Sequence, residues 1–125
     1  MASTAVETVP ITERSAVDLA AAISSRELRS REVVDAHIEL IERRNPAVNA
    51  IIGTRFKEAR AEADAVDERL GSRRGRKNTP PLLGVPCTIK ESFEVPGLPH
   101  TSGSLARKDV VGEHPATSSS ATRPT

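Results

Sequence analysis

Residues 81–91 read PLLGVPCTIKE, and this stretch decides the fold class that we predict. Its segment Leu83–Lys90 is apolar and β-branched, which is typical of a strand buried in a sheet. Alternation along such a strand would place Val85, Cys87 and Ile89 on one face. We therefore predict a buried strand, with Cys87 as a buried and unreactive thiol.

Helical patterns lie upstream of this strand, with a second short strand among them. Ser15 and Asp18 have the spacing of a capping box, and proline stops a helix because it lacks an N–H group. The predicted elements are a helix capped by Ser15 that ends near Ser24, a helix capped by Ser30 that ends at Asn45–Pro46, a strand over Val48–Gly53 and a helix over Phe56–Leu70 followed by Gly71. This order predicts an α/β fold with an incomplete sheet, because two strands do not make a stable sheet.

The composition of the chain excludes several protein classes. Its 125 residues carry a net charge of +1, with 37% hydrophobic and 28% charged residues, which excludes collagen-like and strongly charged disordered chains. No apolar run approaches the roughly 20 residues of a membrane span. Because the first ten residues do not form a signal peptide and there is one cysteine, we expect a cytoplasmic protein. Only two residues are aromatic, Phe56 and Phe93, which predicts a thin core.

Two kinds of ligand are not expected from the residue pattern. The three histidines are spread over the sequence and the single cysteine has no partner, so we expect neither a metal nor another cofactor. A basic loop follows the third helix, but no aromatic residue near it could stack a base, so we expect solvated charges and no nucleic acid. This loop contains Arg73, Arg74, Arg76 and Lys77.

Lys90 and the loop after it are the candidate functional residues. A lysine at the end of a strand extends its ammonium group into water, or, when it is desolvated, serves as a base for a hydroxyl nucleophile. The pattern alone leaves both roles open. The loop Gly97–Ser104 is rich in glycine and small hydroxyl residues, so its backbone could approach a ligand or form a plain surface loop.

The stretch 81–91 resembles the lysine-bearing strand of the amidase signature family. In that family P-L-x-G-[IV]-P-x-x-[IV]-K-[DE] is followed by a G-x-x-x-T-x-G-S loop. Gly97, Thr101, Gly103 and Ser104 match this loop in order and spacing. The resemblance extends over residues 15–117, the N-terminal portion of the family. Its details are most similar to the fatty acid amide hydrolase 2-like branch.

The resemblance implies a fold, an activity and site residues. Family members pack helices on a mixed sheet and hydrolyse carboxylic amides at the C–N bond with a Ser–cis-Ser–Lys triad, so the substrate is a small-molecule amide. Lys90 matches the catalytic lysine, the general base, while Thr101, Gly103 and Ser104 are candidate substrate-loop residues. Both serines lie well downstream of the lysine in the family, and no segment of this chain matches theirs.

The extent of the resemblance divides the chain into three regions. We expect a flexible lead-in over 1–14, the N-terminal part of an amidase domain over 15–117 and an aberrant polar tail over 118–125. The abrupt tail suggests a truncated or frameshifted gene, or else a genuine short tail. We expect a truncated amidase that is inactive alone. The alternatives are a fragment completed by a second chain, self-association through exposed sheet edges, and a non-enzymatic helical module that binds through the Phe56–Leu70 face.

Overall fold

The computed structural model describes residues 9–115 and contains three α-helices in that range. They are α1 (Ala16–Ser24), α2 (Ser30–Val48) and α3 (Phe56–Leu70), and the short 3-10 helices are Ile11–Glu13 and Leu105–Arg107. The described chain divides into two compact units. A helical unit comprises residues 9–48 and 56–86, and a loop unit comprises residues 49–55 and 87–115. The predicted lead-in up to residue 8 and the tail over 118–125 lie outside the described residues.

The predicted bounds of α1 and α3 are confirmed, because the signals that set them are local. Ser15 is the N-cap of α1 and its side chain accepts a hydrogen bond from the backbone N–H of Asp18. The hydroxyl of Ser15 also donates to the Asp18 carboxylate at 2.7 Å. At the end of α3, the N–H of Gly71 donates to the carbonyls of Asp67 and Glu68, which closes the helix at its last turn.

The core of the helical unit consists of two apolar clusters. The first joins all three helices through Leu19, Ile23, Val33, Val66 and Leu70. The second joins α2 to α3 through Val34, Ile38 and Ala63, with Phe56 and Ala59 packed against it. Ala63, Val66 and Leu70 of α3 recur at three- and four-residue steps, so one face of this helix enters both clusters. The core is built from aliphatic side chains, with one partly buried aromatic ring at its edge.

The N-terminus of α2 differs from the prediction, because Ser30 is its first helical residue and not its cap. The backbone N–H of Arg29 donates to the carboxylate of Glu32, so Arg29 holds the cap position. The N–H groups of Ser30 and Arg31 donate to the carboxylate of Asp67 on α3, at 2.7 and 3.0 Å. A carboxylate 37 residues away in sequence thus satisfies the first free donors of α2.

We predict that Asp67→Ala lowers the free energy of unfolding by about 1–2 kcal/mol, the usual effect of losing a helix cap. Asp64→Ala is the matched control, since Asp64 lies one turn earlier on α3 and pairs with Arg31 at an exposed position. Its removal should change the free energy of unfolding by at most about 1 kcal/mol. Urea unfolding followed by circular dichroism measures both, and equal effects of the two substitutions would contradict the capping role.

Proline does not end α2 where we expected it to. The helix continues through Pro46 to Val48, so the predicted end at Asn45–Pro46 is wrong by one half-turn. A proline in the last turn removes a single helical hydrogen bond, and the helix can therefore include it before it ends two residues later. The predicted strand over Val48–Gly53 accordingly loses its first residue to the helix.

Neither predicted strand is present among residues 9–115, so the described structure is helical and shows no mixed sheet. The pairings found there are two isolated bridges, Pro96 with Gly112 and Pro99 with Val111. Residues 81–84 form turns, in which the N–H groups of Leu83 and Val85 donate to carbonyls three residues earlier. A strand exists only when a neighbour receives its backbone donors and acceptors, and the described chain offers none to the 83–90 segment.

Charged side chains join α2 to α3 on their solvent side. The carboxylate of Asp35 on α2 accepts hydrogen bonds from Arg60 of α3 and from Arg31, at 2.7 and 2.8 Å. These hydrogen bonds lower the pKa of Asp35, and the bond from Arg60 is the largest cause.

In residues 9–115 no helix is both long and apolar enough to span a membrane.

Candidate active-site segment

Lys90 lies in the loop unit, at the start of a turn. The N–H of Phe93 donates to the carbonyl of Lys90 at 2.9 Å, so the chain bends directly after the lysine. The residues from Cys87 to Lys90 are all exposed. Of the two roles that the sequence leaves open, the exposed position of Lys90 among the described residues fits a hydrated lysine. A lysine acts as a base only where its surroundings favour the neutral amine.

Cys87 corrects one prediction from the sequence. The thiol is exposed, not buried. The prediction assumed a sheet that covers one face of residues 85–89, and no sheet covers them in the described chain. Alternation along a segment indicates which residues share a face, but burial of that face depends on what packs against it.

The loop Gly97–Ser104 is held against the segment 110–112 by backbone hydrogen bonds. The N–H of Gly97 donates to Gly112, the N–H of His100 donates to Val110, and the N–H of Gly112 donates to Leu98, each at 2.9 Å. Val95 is buried beside this segment, at 8% exposure. The loop is thus ordered by main-chain contacts, with little apolar burial.

The candidate loop residues Thr101, Gly103 and Ser104 form one tight turn. The N–H of Gly103 donates to the Thr101 hydroxyl at 3.2 Å and the N–H of Ser104 donates to the Thr101 carbonyl at 3.0 Å. Gly103 has φ +71°, where a side chain is strained, although a Cβ there would meet no atom within 4 Å. The turn therefore requires glycine at 103 for its conformation and not for close packing.

Two carboxylates, which the sequence did not single out for a role, hold the ends of this region. Glu91 accepts hydrogen bonds from the N–H groups of Thr101 and Ser102, the latter at 2.8 Å. Glu94 accepts from the N–H groups of Glu113 and His114, at 2.7 and 2.9 Å. These backbone donors favour the charged carboxylates. The hydrogen bond from Thr101 is the largest cause of the lowered pKa of Glu91, and the hydrogen bond from His114 is the largest cause of the lowered pKa of Glu94.

We predict that the loop unit loses stability in acid. Because folding lowers the pKa of both glutamates, the unfolded chain binds more protons, and stability rises with pH across their titration. The contribution is complete above the ordinary glutamate pKa of about 4.3 and is lost as the pH falls below it. Amide hydrogen exchange of residues 97–104 between about pH 3 and 6 measures the loss, after correction for intrinsic exchange.

The double variant Glu91→Gln/Glu94→Gln is the control for this titration. It removes both carboxylates while keeping similar side-chain shapes, so the acid-dependent part of the protection should disappear. An unchanged pH dependence in the double variant would contradict the assignment to these two groups.

Three further polar side chains of the described residues make structural contacts. The ring of His37 contacts the carbonyl of Val33 at 2.7 Å, and that of His100 contacts the carbonyl of Ser92 at 3.2 Å. Arg76 of the basic loop donates to the carbonyl of Leu70 at 3.0 Å, at the end of α3. No cluster of three metal-ligating side chains occurs in residues 9–115.

Comparisons with known proteins identify the family of this chain. The model of the amidase family matches residues 32–122, more than half of the chain. Human fatty-acid amide hydrolase 2 is 39% identical over 114 residues, which are 88% of this chain and 21% of that protein. Indoleacetamide hydrolase of Bradyrhizobium diazoefficiens is 39% identical over 103 residues, which are 82% of this chain and 19% of that protein.

A solved structure agrees with the sequence matches. A bacterial aryl acylamidase of the amidase signature family superposes with a TM-score of 0.70 at 34% identity, over 80% of this chain and 20% of that one. The chain therefore belongs to the amidase signature family, as the motif around Lys90 predicted. It corresponds to the N-terminal portion of the family and spans about a fifth of the length of the relatives it matches.

Proposed function

We propose that this chain supplies the lysine of a Ser–cis-Ser–Lys amidase site and that it does not hydrolyse amides by itself. The observation that carries the proposal is the position of Lys90. It is the lysine of the family motif over residues 81–91, it stands at a turn beside an ordered loop, and it is exposed among the described residues. The substrate class is a small carboxylic amide.

The proposed chemistry assigns Lys90 one task, the movement of a proton. Its neutral amine accepts a proton from the middle serine, which in turn accepts the proton of the nucleophilic serine. The nucleophilic serine then attacks the amide carbonyl, and the C–N bond breaks. The amine of the substrate leaves after the relay returns the proton to it, and water hydrolyses the acyl-enzyme through the same relay. Both serines come from a part of the amidase domain that these residues do not match.

Exposed apolar side chains of the loop unit support completion by such a part. Ile52, Ile89 and Phe93 are 58%, 37% and 50% exposed. We propose that the segments 48–53 and 83–90 become strands of the mixed sheet when the rest of the amidase domain pairs with them. Covering this surface would also desolvate Lys90, which is the condition for its role as a base. A second chain, or a continuation of this one, would serve equally well.

The isolated chain is the first test of this proposal. The purified 125 residues should release no more amine from a set of aryl and acyl amides than buffer does, because no segment of this sequence matches the two serines of the family triad. The Lys90→Ala variant is the control for contamination. Turnover that is robust and lost in Lys90→Ala would contradict the proposed inactivity.

We do not propose the alternative of a binding module that uses the Phe56–Leu70 face. Ala63, Val66 and Leu70 of this face are buried within the helical unit. A partner helix could reach them only after the unit opens.

A further inference from the structure

We infer that Glu91 is a positioning residue that fixes the Thr101–Ser104 turn to the backbone next to Lys90. The inference rests on the proposed function of Lys90 and adds to it a role for the neighbouring carboxylate. Its basis is the pair of hydrogen bonds from the N–H groups of Thr101 and Ser102 to the two carboxylate oxygens of Glu91.

These hydrogen bonds use the backbone donors of the turn. Thr101 and Ser102 donate to Glu91, Gly103 donates to the Thr101 hydroxyl, and Ser104 donates to the Thr101 carbonyl. Two successive N–H groups that point to one side form a cradle for an anion. The chain fills this cradle with its own carboxylate, so the N–H groups of Thr101 and Ser102 are not directed at a substrate while Glu91 stays in place.

Because Glu91 is next to Lys90 in the sequence, its contact with the turn also restrains the backbone of the lysine. Glu91 directly follows Lys90, and the carbonyl of Lys90 accepts the hydrogen bond that closes the turn to Phe93. The backbone on the C-terminal side of Lys90 is therefore held twice, once by its own turn and once by the loop ten residues later. A lysine held in this way has a defined starting direction, which is what proton transfer at short range requires.

Glu94 provides an internal comparison for this role. It makes the same kind of contact in the same unit, with the N–H groups of Glu113 and His114. It does not adjoin Lys90 and does not contact the Thr101–Ser104 turn. After their backbone hydrogen bonds, the charge of His100 also lowers the pKa of both Glu91 and Glu94.

The test is a pH titration of the 15N-labelled chain by NMR, comparing wild type with Glu91→Gln and Glu94→Gln. In wild type the amide signals of Thr101 and Ser102 should shift as the pH falls below about 5, where carboxylates titrate and histidines do not. Glu91→Gln should abolish that shift and leave those of Glu113 and His114. Glu94→Gln should do the reverse. Thr101 and Ser102 signals that ignore pH in wild type, or that titrate in Glu91→Gln, would overturn the inference.

A kinetic arm separates this inference from the proposed function. In an active assembly with the rest of an amidase domain, Glu91→Gln should lower kcat by roughly 100-fold with little change in KM, the effect of a small misplacement. Glu91→Asp should recover part of the rate, and Glu94→Gln should stay near wild type. A wild-type kcat in Glu91→Gln would overturn the positioning role. If the titration behaves as expected but no assembly is active, the proposed function fails and the contact stands.

Discussion

Replacing Lys90 by alanine is expected to lower amide hydrolysis by about a thousandfold or more, in an assembly of this chain with the remaining part of an amidase domain. The proposed proton relay has a single base, so its removal would leave only binding and polarisation by other groups. Because Lys90 is exposed in the chain itself, the substitution should leave the folding of both units unchanged. Circular dichroism of the variant checks this.

Lys108→Ala is the matched control for this prediction. Lys108 is an exposed lysine of the same unit, directly after the short helix Leu105–Arg107. Its loss should leave the rate near that of wild type. Comparable losses in the two variants would mean that positive charge in this region matters and that Lys90 has no special role.

Gly84→Ala is expected to destabilise the helical unit by about 2–4 kcal/mol. Gly84 has φ +85°, and a Cβ there would lie 2.8 Å from the Ser30 hydroxyl and 3.0 Å from a methyl of Val66. The Ser30 side chain cannot move away easily, because Ser30 is fully buried and its hydroxyl donates to the carbonyl of Gly84 at 2.8 Å. Backbone strain and overpacking therefore add at one position.

Gly103→Ala separates these two costs. Gly103 has a similar φ of +71°, but a Cβ there meets open space. Its substitution should cost only the conformational part, about 1–2 kcal/mol, within the loop unit. Thermal or urea unfolding followed by circular dichroism measures both variants. A Gly84→Ala protein as stable as wild type would show that the contact between Ser30 and residue 84 is not tight in solution.

The three helices, and the ends of α1 and α3, could be predicted because their signals are local. The cap at Ser15, the stripe of α3 and the stop at Gly71 each depend on residues within one or two turns. The cap of α2 could not be predicted in the same way. The carboxylate that accepts from its first N–H groups belongs to Asp67, 37 residues away, and only the packing of α3 on α2 brings the two together.

The two predicted strands are not found among the described residues because a strand depends on residues that are distant in sequence. An apolar, β-branched segment such as 83–90 becomes a strand only when another segment receives its backbone hydrogen bonds. The burial predicted for Cys87 depended on the same kind of neighbour, which the described residues do not provide, and its thiol is exposed. Burial and sheet formation are properties of a complete assembly, whereas the motif that identifies Lys90 is carried by the chain itself.

The role of Glu91 lies between these cases. The family motif includes an acidic residue after the lysine, so the sequence contained a signal at this position, but no pattern indicated its partner. The partner is a backbone turn ten residues later, and backbone donors have no sequence signature. A structure was needed to find the contact.

The central claim is that this chain provides the base of an amidase site while the nucleophile lies elsewhere. The most direct measurement is mass spectrometry of the active assembly after reaction with a fluorophosphonate, which labels activated serines covalently. We predict a label on a serine outside these 125 residues, and loss of that label in Lys90→Ala because the serine is no longer activated. A stoichiometric, Lys90-dependent label on a serine of this chain, Ser118–Ser120 included, would contradict the claim.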